Sequence, residues 1–193
     1  MLRTGEQYLA SLRDGRRIHI GGECVTDVTA HPAFRNTARS FARIYDRKRD
    51  TENLDVMSFS EHEERFTSWF LLPRSRGDLD RRAECHRRVA EWSHGLLGRS
   101  PDHVPAFVGG MAMVPELFDA NRKGFGQNVV EYFDYLRRGD LFACYLVLTP
   151  QGSRDPKMYK DTGTANPALT IVAEDAEGIV VSGLKLLLSL IHI

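Results

Sequence analysis

Six consecutive residues, Gly98-Arg99-Ser100-Pro101-Asp102-His103, bring a fixed cation, a hydroxyl, a carboxylate and an imidazole into one short segment. Ser100-Pro101-Asp102 has the form of a helix start: a capping hydroxyl, a proline at the first helical position, and an acid facing the positive end of the dipole. Such a terminus presents free N–H groups to an anionic oxygen, and Arg99 sits just before it. On this reading Arg99 supplies fixed charge, while His103, on the first turn, supplies a hydrogen bond or accepts a proton. A capped surface helix with an outward Arg99 and a His103 paired to Asp102 has the same sequence. The motif alone does not choose.

Two further groups carry chemical content. Thr149-Pro150-Gln151-Gly152-Ser153-Arg154 is a polar loop leaving an apolar run, a place where a cofactor's polar edge can sit, and equally an ordinary connection. Tyr132, Phe133, Tyr135 and Phe142 could line an aromatic pocket or simply fill a core. Other chemistries lack their motifs. There is no GxGxxG opening a helix after a strand, no Walker loop, no GxSxG and no HExxH, and Gly124-Phe125-Gly126 is a lone GxG. Cys24, Cys85 and Cys144 are too far apart for zinc spacing and odd in number, so no metal site and no disulfide framework is expected. Glu61-His62-Glu63-Glu64 reads as a solvated charge run.

These groups must be positioned by surrounding elements. Thr4 with Gln7 forms a capping box for a helix carrying Tyr8, Leu9 and Leu12 and stopping near Gly15. Ile18, Ile20, Gly21-Gly22 and Cys24-Val25 read as a small hairpin, and Phe34, Ala38, Phe41 and Tyr45 predict a helix over 33–47. Residues 48–55 read as a charged surface loop; Val56–Ser60 and Phe66–Leu72 stay undecided between strand and irregular structure. A long helix begins at Ser75 or Asp78, turns Leu79, Ala83, His86, Ala90, Ser93 and Leu97 to one face, and stops at Gly98. The helix after Ser100 runs to about Met113. Another spans roughly Gly126–Arg138, with Val129, Val130, Phe133 and Leu136 inward and Gly139 as its stop. Leu141–Leu148 suits a buried strand, 151–168 a polar loop, and Leu169–Ala173 with Ile179–Ser182 two strands about a turn at Asp175–Gly178.

Composition fits a soluble globular protein. The 193 residues carry 26 Lys+Arg against 26 Asp+Glu, with 42% hydrophobic and 27% charged residues. This excludes disorder and a general nucleic-acid coat, which needs excess basic charge. No apolar run approaches the roughly 20 residues that span a bilayer. With no secretory segment after Met1, a cytoplasmic location with reduced thiols is expected.

The stretch RTGEQYLASLRDGRRIHIGGECVTDVTAHPAFRNTARSFARIYD, from Arg3 to Asp46, resembles the opening of the 4-hydroxyphenylacetate 3-monooxygenase family, oxygenase components of two-component flavin-dependent phenol hydroxylases. AEWSHGLLGRSPDHVPAF, FACYLVLTPQGSRD and GIVVSGLK continue the likeness in order, over about residues 3–187. The resemblance implies an α+β chain of acyl-CoA dehydrogenase-like architecture: an all-helical domain over 1–139, then the first strands of a central β-barrel domain over 140–188, cut short, with 189–193 a probable non-family tail. The run Leu186–Ile193 departs from the family's usual continuation, which suggests a truncated or chimeric frame. Such enzymes receive FAD, as FADH2, from a separate flavin reductase, form a C4a-hydroperoxide with O2, and hydroxylate a phenol ortho to its hydroxyl. A homotetrameric parent is implied, with no nucleic-acid or membrane partner; a fragment alone would be inactive.

By the same resemblance Arg99 and His103 are catalytic, and Arg99, Ser100, Pro101, Asp102, His103 and Tyr145 bind substrate. Tyr145, Leu146, Val147, Gln151, Gly152, Ser153 and Arg154 match flavin-contacting segments. His103 stands where the hydroxyphenylacetate enzymes usually have tyrosine, and Tyr145 where they commonly have histidine. These departures point to another phenol, halogenated or nitro-substituted. The alternatives are a non-catalytic helical binding module and a 4-hydroxybutyryl-CoA dehydratase-like flavoprotein, which lacks support because cysteines are absent at the positions of its cluster ligands.

Overall fold

The structure, a computed structural model, describes residues 2–97, 100–161, 163 and 165–186. It divides into two units, Met1–Ala143 and Cys144–Ile193. No helix among the described residues is long and apolar enough to cross a membrane.

The first unit opens with α1 (Gly5–Ser11), capped as the sequence predicts: the Gln7 amide N–H donates to Thr4 Oγ1 at 3.0 Å and Thr4 N–H donates to Gln7 Oε1 at 2.9 Å. It stops at Ser11, short of Gly15. The expected hairpin forms from β1 (Ile18–Ile20) and β2 (Glu23–Val25). α2 (Arg35–Arg47) crosses α1 so closely that a Cβ on Gly5 would lie 2.5 Å from the Ala42 carbonyl oxygen. Only glycine allows that approach. Tyr8 stacks on Tyr45 at 4.9 Å, and Phe41 packs on Phe142 at 4.7 Å.

Of the predicted surface loop 48–55, residues 49–52 are exposed turn as expected, whereas Lys48 and Asn53 are buried. Lys48 continues the buried stripe of Ala38, Ala42 and Tyr45 by one helical step and is fully buried. Its ammonium pairs with Asp140, donates to Thr67 Oγ1 at 3.1 Å, and lies 4.1 Å from the Tyr45 ring centroid and 4.6 Å from that of Trp69. Asp140 also accepts from Thr67 Oγ1 at 2.6 Å and from Arg3 N–H at 2.9 Å, and its carbonyl accepts from Tyr45 Oη at 3.0 Å. Burial pulls the Lys48 ammonium down to about 8 against the opposing pull of Asp140. A buried charge is tolerated only when paired and hydrogen-bonded, and both partners here are.

After α3 (Leu54–Met57) comes a second hairpin, β3 (Ser58–Glu61) and β4 (Glu64–Thr67), so this unit is not all-helical. Its two turn residues, His62 (φ 48°) and Glu63 (φ 65°), are both left-handed, as a two-residue hairpin requires. They lack the usual Asn-Gly signal, which is why the sequence reads there as a charge run. Glu61 and Glu64 are paired instead with Arg137 and Arg138.

α4 (Arg76–Trp92) starts at Ser75, one of the two predicted starts, and a capping box that the sequence reading did not name joins Ser75 to Asp78. Its buried stripe is Arg82, Cys85 and Val89; Leu79, Ala83 and Ala90 face outward, contrary to the predicted face. Arg82 belongs inside because its guanidinium donates to the Leu71 carbonyl at 2.8 Å, a role invisible to an apolar count. The helix also ends before Gly98. Gly95 N–H donates to Ala90 O at 2.8 Å and His94 N–H to Glu91 O at 3.2 Å, with His94 left-handed (φ 53°), the paired bonds of a Schellman stop. α5 (His103–Ala112), α6 (Glu116–Asp119) and α7 (Phe125–Arg138) complete the unit. α7 ends in the same way, with Leu141 N–H donating to Leu136 O at 3.0 Å and Asp140 left-handed (φ 47°). Phe133 is buried, whereas Tyr132 and Tyr135 are exposed and stack on each other, so the aromatic group is not one pocket.

In the second unit the expected buried strand is absent. Residues 144–147 are irregular, Leu146 and Val147 are exposed, and Leu148 makes an isolated bridge to Leu186. An apolar strand forms where ladder partners flank it, and the described residues supply one at Leu148 only. The polar loop contains a 3-10 turn (Gln151–Ser153) and α8 (Lys157–Lys160). β5 (Thr170–Glu174) and β6 (Ile179–Ser182) pair antiparallel, with both faces exposed. The Asp175 carboxylate closes their turn, accepting from Glu177 N–H at 2.8 Å and Gly178 N–H at 3.1 Å. Among the described residues every sheet has two strands.

The thiols provide a check on this packing. Cys24 and Cys144 are exposed, while Cys85 is buried and pushed up to about 12, by burial first and then by the nearby Asp102 carboxylate. Titration of the native chain with an aromatic disulfide at neutral pH should therefore release two equivalents quickly and the third only on denaturation. Three fast equivalents would mean that the inner face of α4 is open.

Candidate functional site

Of the six-residue segment, Gly98 and Arg99 lie outside the described residues. Ser100, Pro101 and Asp102 form a turn that leads into α5, whose first residue is His103. Ser100 is therefore not the cap. Asp102 occupies the cap position, yet its side chain makes no capping bond. Instead the carboxylate accepts from Ser100 Oγ through Oδ1 and faces His86 Nε2 on α4 at 2.7 Å through Oδ2.

That arrangement corrects the expectation that Asp102 pairs with His103. His103 N–H donates to the Ser100 carbonyl at 3.1 Å, and its ring meets Phe107 edge-on at 5.9 Å. Burial raises the Asp102 carboxyl, but the bonds from His86 and Ser100 outweigh it and leave the group below the ordinary carboxylate range. Arg82 and Cys85, one turn or less from His86, complete a polar cluster around the carboxylate. Burial lowers the Arg82 guanidinium, with Asp102 opposing. His86 is a neighbour of Asp102 that the sequence reading placed on a helix face without a partner. A signal existed in its i, i+4 spacing from Arg82, but an apolar scan ignores an arginine.

A concave surface of about 440 Å3 lies between α2 and the end of α4, with Phe41, Ile44 and Trp92 as its apolar floor and Asn36, Arg43 and His94 among its polar groups. Leu96 and Leu97 also line it.

The second group of expected site residues belongs to the other unit. Tyr145 and Ser153 are half-buried, and Leu146, Val147, Gln151 and Arg154 are exposed. The Ser153 hydroxyl donates to the Pro150 carbonyl at 2.6 Å and holds the 3-10 turn, so what remains to it is an acceptor. A Cβ on Gly152 would meet nothing within 4 Å, so the face of that turn is open. Among the described residues no group of three or more His, Cys, Asp or Glu is placed to hold a metal.

The profile of the family described as 4-hydroxyphenylacetate 3-hydroxylase N terminal matches residues 4–193. The chain belongs to this family. The 4-hydroxyphenylacetate 3-monooxygenase oxygenase component of Geobacillus sp. (strain PA-9) is 33% identical over 186 residues, 96% of this chain and 37% of the relative. The oxygenase component of a 4-nitrophenol 2-monooxygenase from Rhodococcus sp is 34% identical over 188 residues, 94% of this chain and 34% of the relative. A crystal structure of a 4-hydroxyphenylacetate 3-monooxygenase oxygenase component complexed with FAD and 4-hydroxyphenylacetate matches with a TM-score of 0.80 at 33% identity, over 94% of this chain and 37% of that one. An archaeal 4-hydroxybutyryl-CoA dehydratase from N. maritimus shares the fold, with a TM-score of 0.73 at 19% identity over 95% of this chain and 36% of that one. The chain thus spans little more than a third of the length of the relatives it matches.

Proposed function

We propose that the protein carrying this chain is the oxygenase component of a two-component phenol hydroxylase, using FAD supplied as FADH2 by a separate reductase, and O2. The family match over residues 4–193 carries this reading. It is supported by relatives that are oxygenase components acting on 4-hydroxyphenylacetate and 4-nitrophenol, and by a related structure that contains FAD. In the same reading, residues 1–139 form the N-terminal domain, mainly helical with two hairpins, and 140–188 the first strands of a β-barrel domain. The architecture is acyl-CoA dehydrogenase-like, and the assembly a cytoplasmic homotetramer.

The donor set of residues 145–154 fits a flavin. Leu146 and Val147 offer apolar surface to a ring plane, while the Gln151 amide and the Arg154 guanidinium offer donors to its polar edge or phosphates. Bound there, reduced flavin with O2 supplies the electrophilic oxygen. The chain's own task is to make the phenol electron-rich. Arg99 stabilises negative charge developing on the phenol oxygen, and His103 hydrogen-bonds that oxygen or accepts its proton. Ser100, Pro101 and Asp102 hold the turn between them, and Tyr145 touches both substrate and flavin.

His103 and Tyr145, where hydroxyphenylacetate enzymes usually carry tyrosine and histidine, favour a different phenol. The test is aerobic turnover by the whole protein with FADH2 and a panel of 4-hydroxyphenylacetate, 4-nitrophenol and chlorophenols. Catechol or quinone product is expected, with 4-hydroxyphenylacetate not the best substrate. No product from any phenol would sink the enzyme reading.

A further inference from the structure

Asp102 has the residue type and the position of a helix cap and does not cap its helix. A free Asp at this position gains from bonding the first-turn N–H groups, so its commitment elsewhere needs a reason. The reason on the page is α4. His86 Nε2 meets Asp102 Oδ2 at 2.7 Å, and Ser100 fills the other carboxylate oxygen. Because the acceptor is a carboxylate, Nε2 is the donor nitrogen. The His103 amide, in turn, donates to the Ser100 carbonyl at 3.1 Å, so the histidine's own backbone is fixed by the turn that Asp102 organises.

Rigid support lies behind this contact. His86 is on a 17-residue helix, one residue from the buried Cys85 and four from Arg82, which is anchored to the Leu71 carbonyl at 2.8 Å. A side chain on such a helix is a firm reference point for the turn packed against it. The line therefore runs from α4 through His86 to Asp102, then through the Ser100–Asp102 turn to the first residue of α5.

We propose that His86 is a positioning residue for substrate recognition: through Asp102 it holds the Ser100–Asp102 turn and so sets where His103 stands. This rests on the assignment of His103 to the phenol-binding site made above. His86 does not touch substrate. It acts by fixing the group that does.

The experiment uses the whole protein with FADH2, O2 and its best phenol. His86→Ala should raise the phenol KM about tenfold, the loss expected for one hydrogen bond to a charged group, with a smaller change in kcat and no change in flavin affinity. His86→Gln, whose amide nitrogen reaches the place of Nε2, should recover most of the KM. His86→Asn, whose amide matches Nδ1, should not. Melting temperatures of the same variants report packing separately. An unchanged KM in His86→Ala, or Gln and Asn variants that behave alike, would overturn the proposal. If the parent protein turns over no phenol, the enzyme reading has failed but the positioning line is still read by NMR. In the 193-residue chain the His103 ring signals should shift in His86→Ala and return in His86→Gln; signals unmoved by His86→Ala would refute it.

Discussion

Replacing Lys48 with Met should cost about 3–5 kcal/mol of unfolding free energy, because it leaves the Asp140 carboxylate charged and unpaired in the interior. Asp140→Asn should be costly in the same way, since Lys48 then faces only neutral groups. Asparagine is the appropriate replacement because it tolerates the left-handed backbone at this position and keeps one acceptor oxygen, which serves either Thr67 or the Arg3 amide. The double variant Lys48→Met/Asp140→Asn removes both charges together and should recover to within about 2 kcal/mol of the parent, since replacing an entire buried pair is often close to neutral. Urea unfolding of the four proteins gives the coupling directly. Single variants that lose less than about 1 kcal/mol, or a double variant as unstable as the sum of the singles, would contradict a coupled buried pair.

Arg99→Ala in the whole protein should lower kcat/KM for phenol hydroxylation by about two orders of magnitude, the scale lost when a preorganised group facing developing charge is removed. The phenol becomes reactive toward an electrophilic oxygen as its O–H bond gives up its proton, and a fixed cation lowers the cost of that charge. Arg99→Lys should recover part of the loss, because lysine keeps the charge but not the planar fork. The effect is measured as the rate of catechol or quinone formation against phenol concentration. Turnover unchanged in Arg99→Ala would remove this residue from the mechanism.

Much of the fold is legible in local rules. The capping box at Thr4–Gln7 forms as the sequence predicts, and α4 begins at Ser75, one of its two predicted starts, because a cap is settled within four residues. What the sequence hides are decisions made by distant partners. Lys48 looks like loop because it is charged; it is core because Asp140 and Thr67 arrive beside it. α7 stops at Gly139 as predicted, and the left-handed residue that closes it is the next one, Asp140. A glycine there would relieve the backbone but would strip Lys48 of its partner. Likewise Leu141–Leu148 has a strand's composition and not a strand's neighbours. At the candidate site, the chemistry-bearing types at 100–103 were legible, but not that Asp102 would turn from its own helix toward His86.

The pairing of Lys48 with Asp140 also has a consequence for synthesis. The two residues are 92 positions apart, and Arg3, which bonds the same carboxylate, is 137 positions from it. A ribosome adding about 5–20 residues per second therefore needs roughly 5 to 18 s to deliver Asp140 after Lys48 has been made. Throughout that interval the ammonium has no carboxylate to enter the core with, and it must stay in water. The first unit cannot close around Tyr45 and Trp69 until its last helix has emerged, which makes completion of α7 the event that commits the nascent chain to its fold.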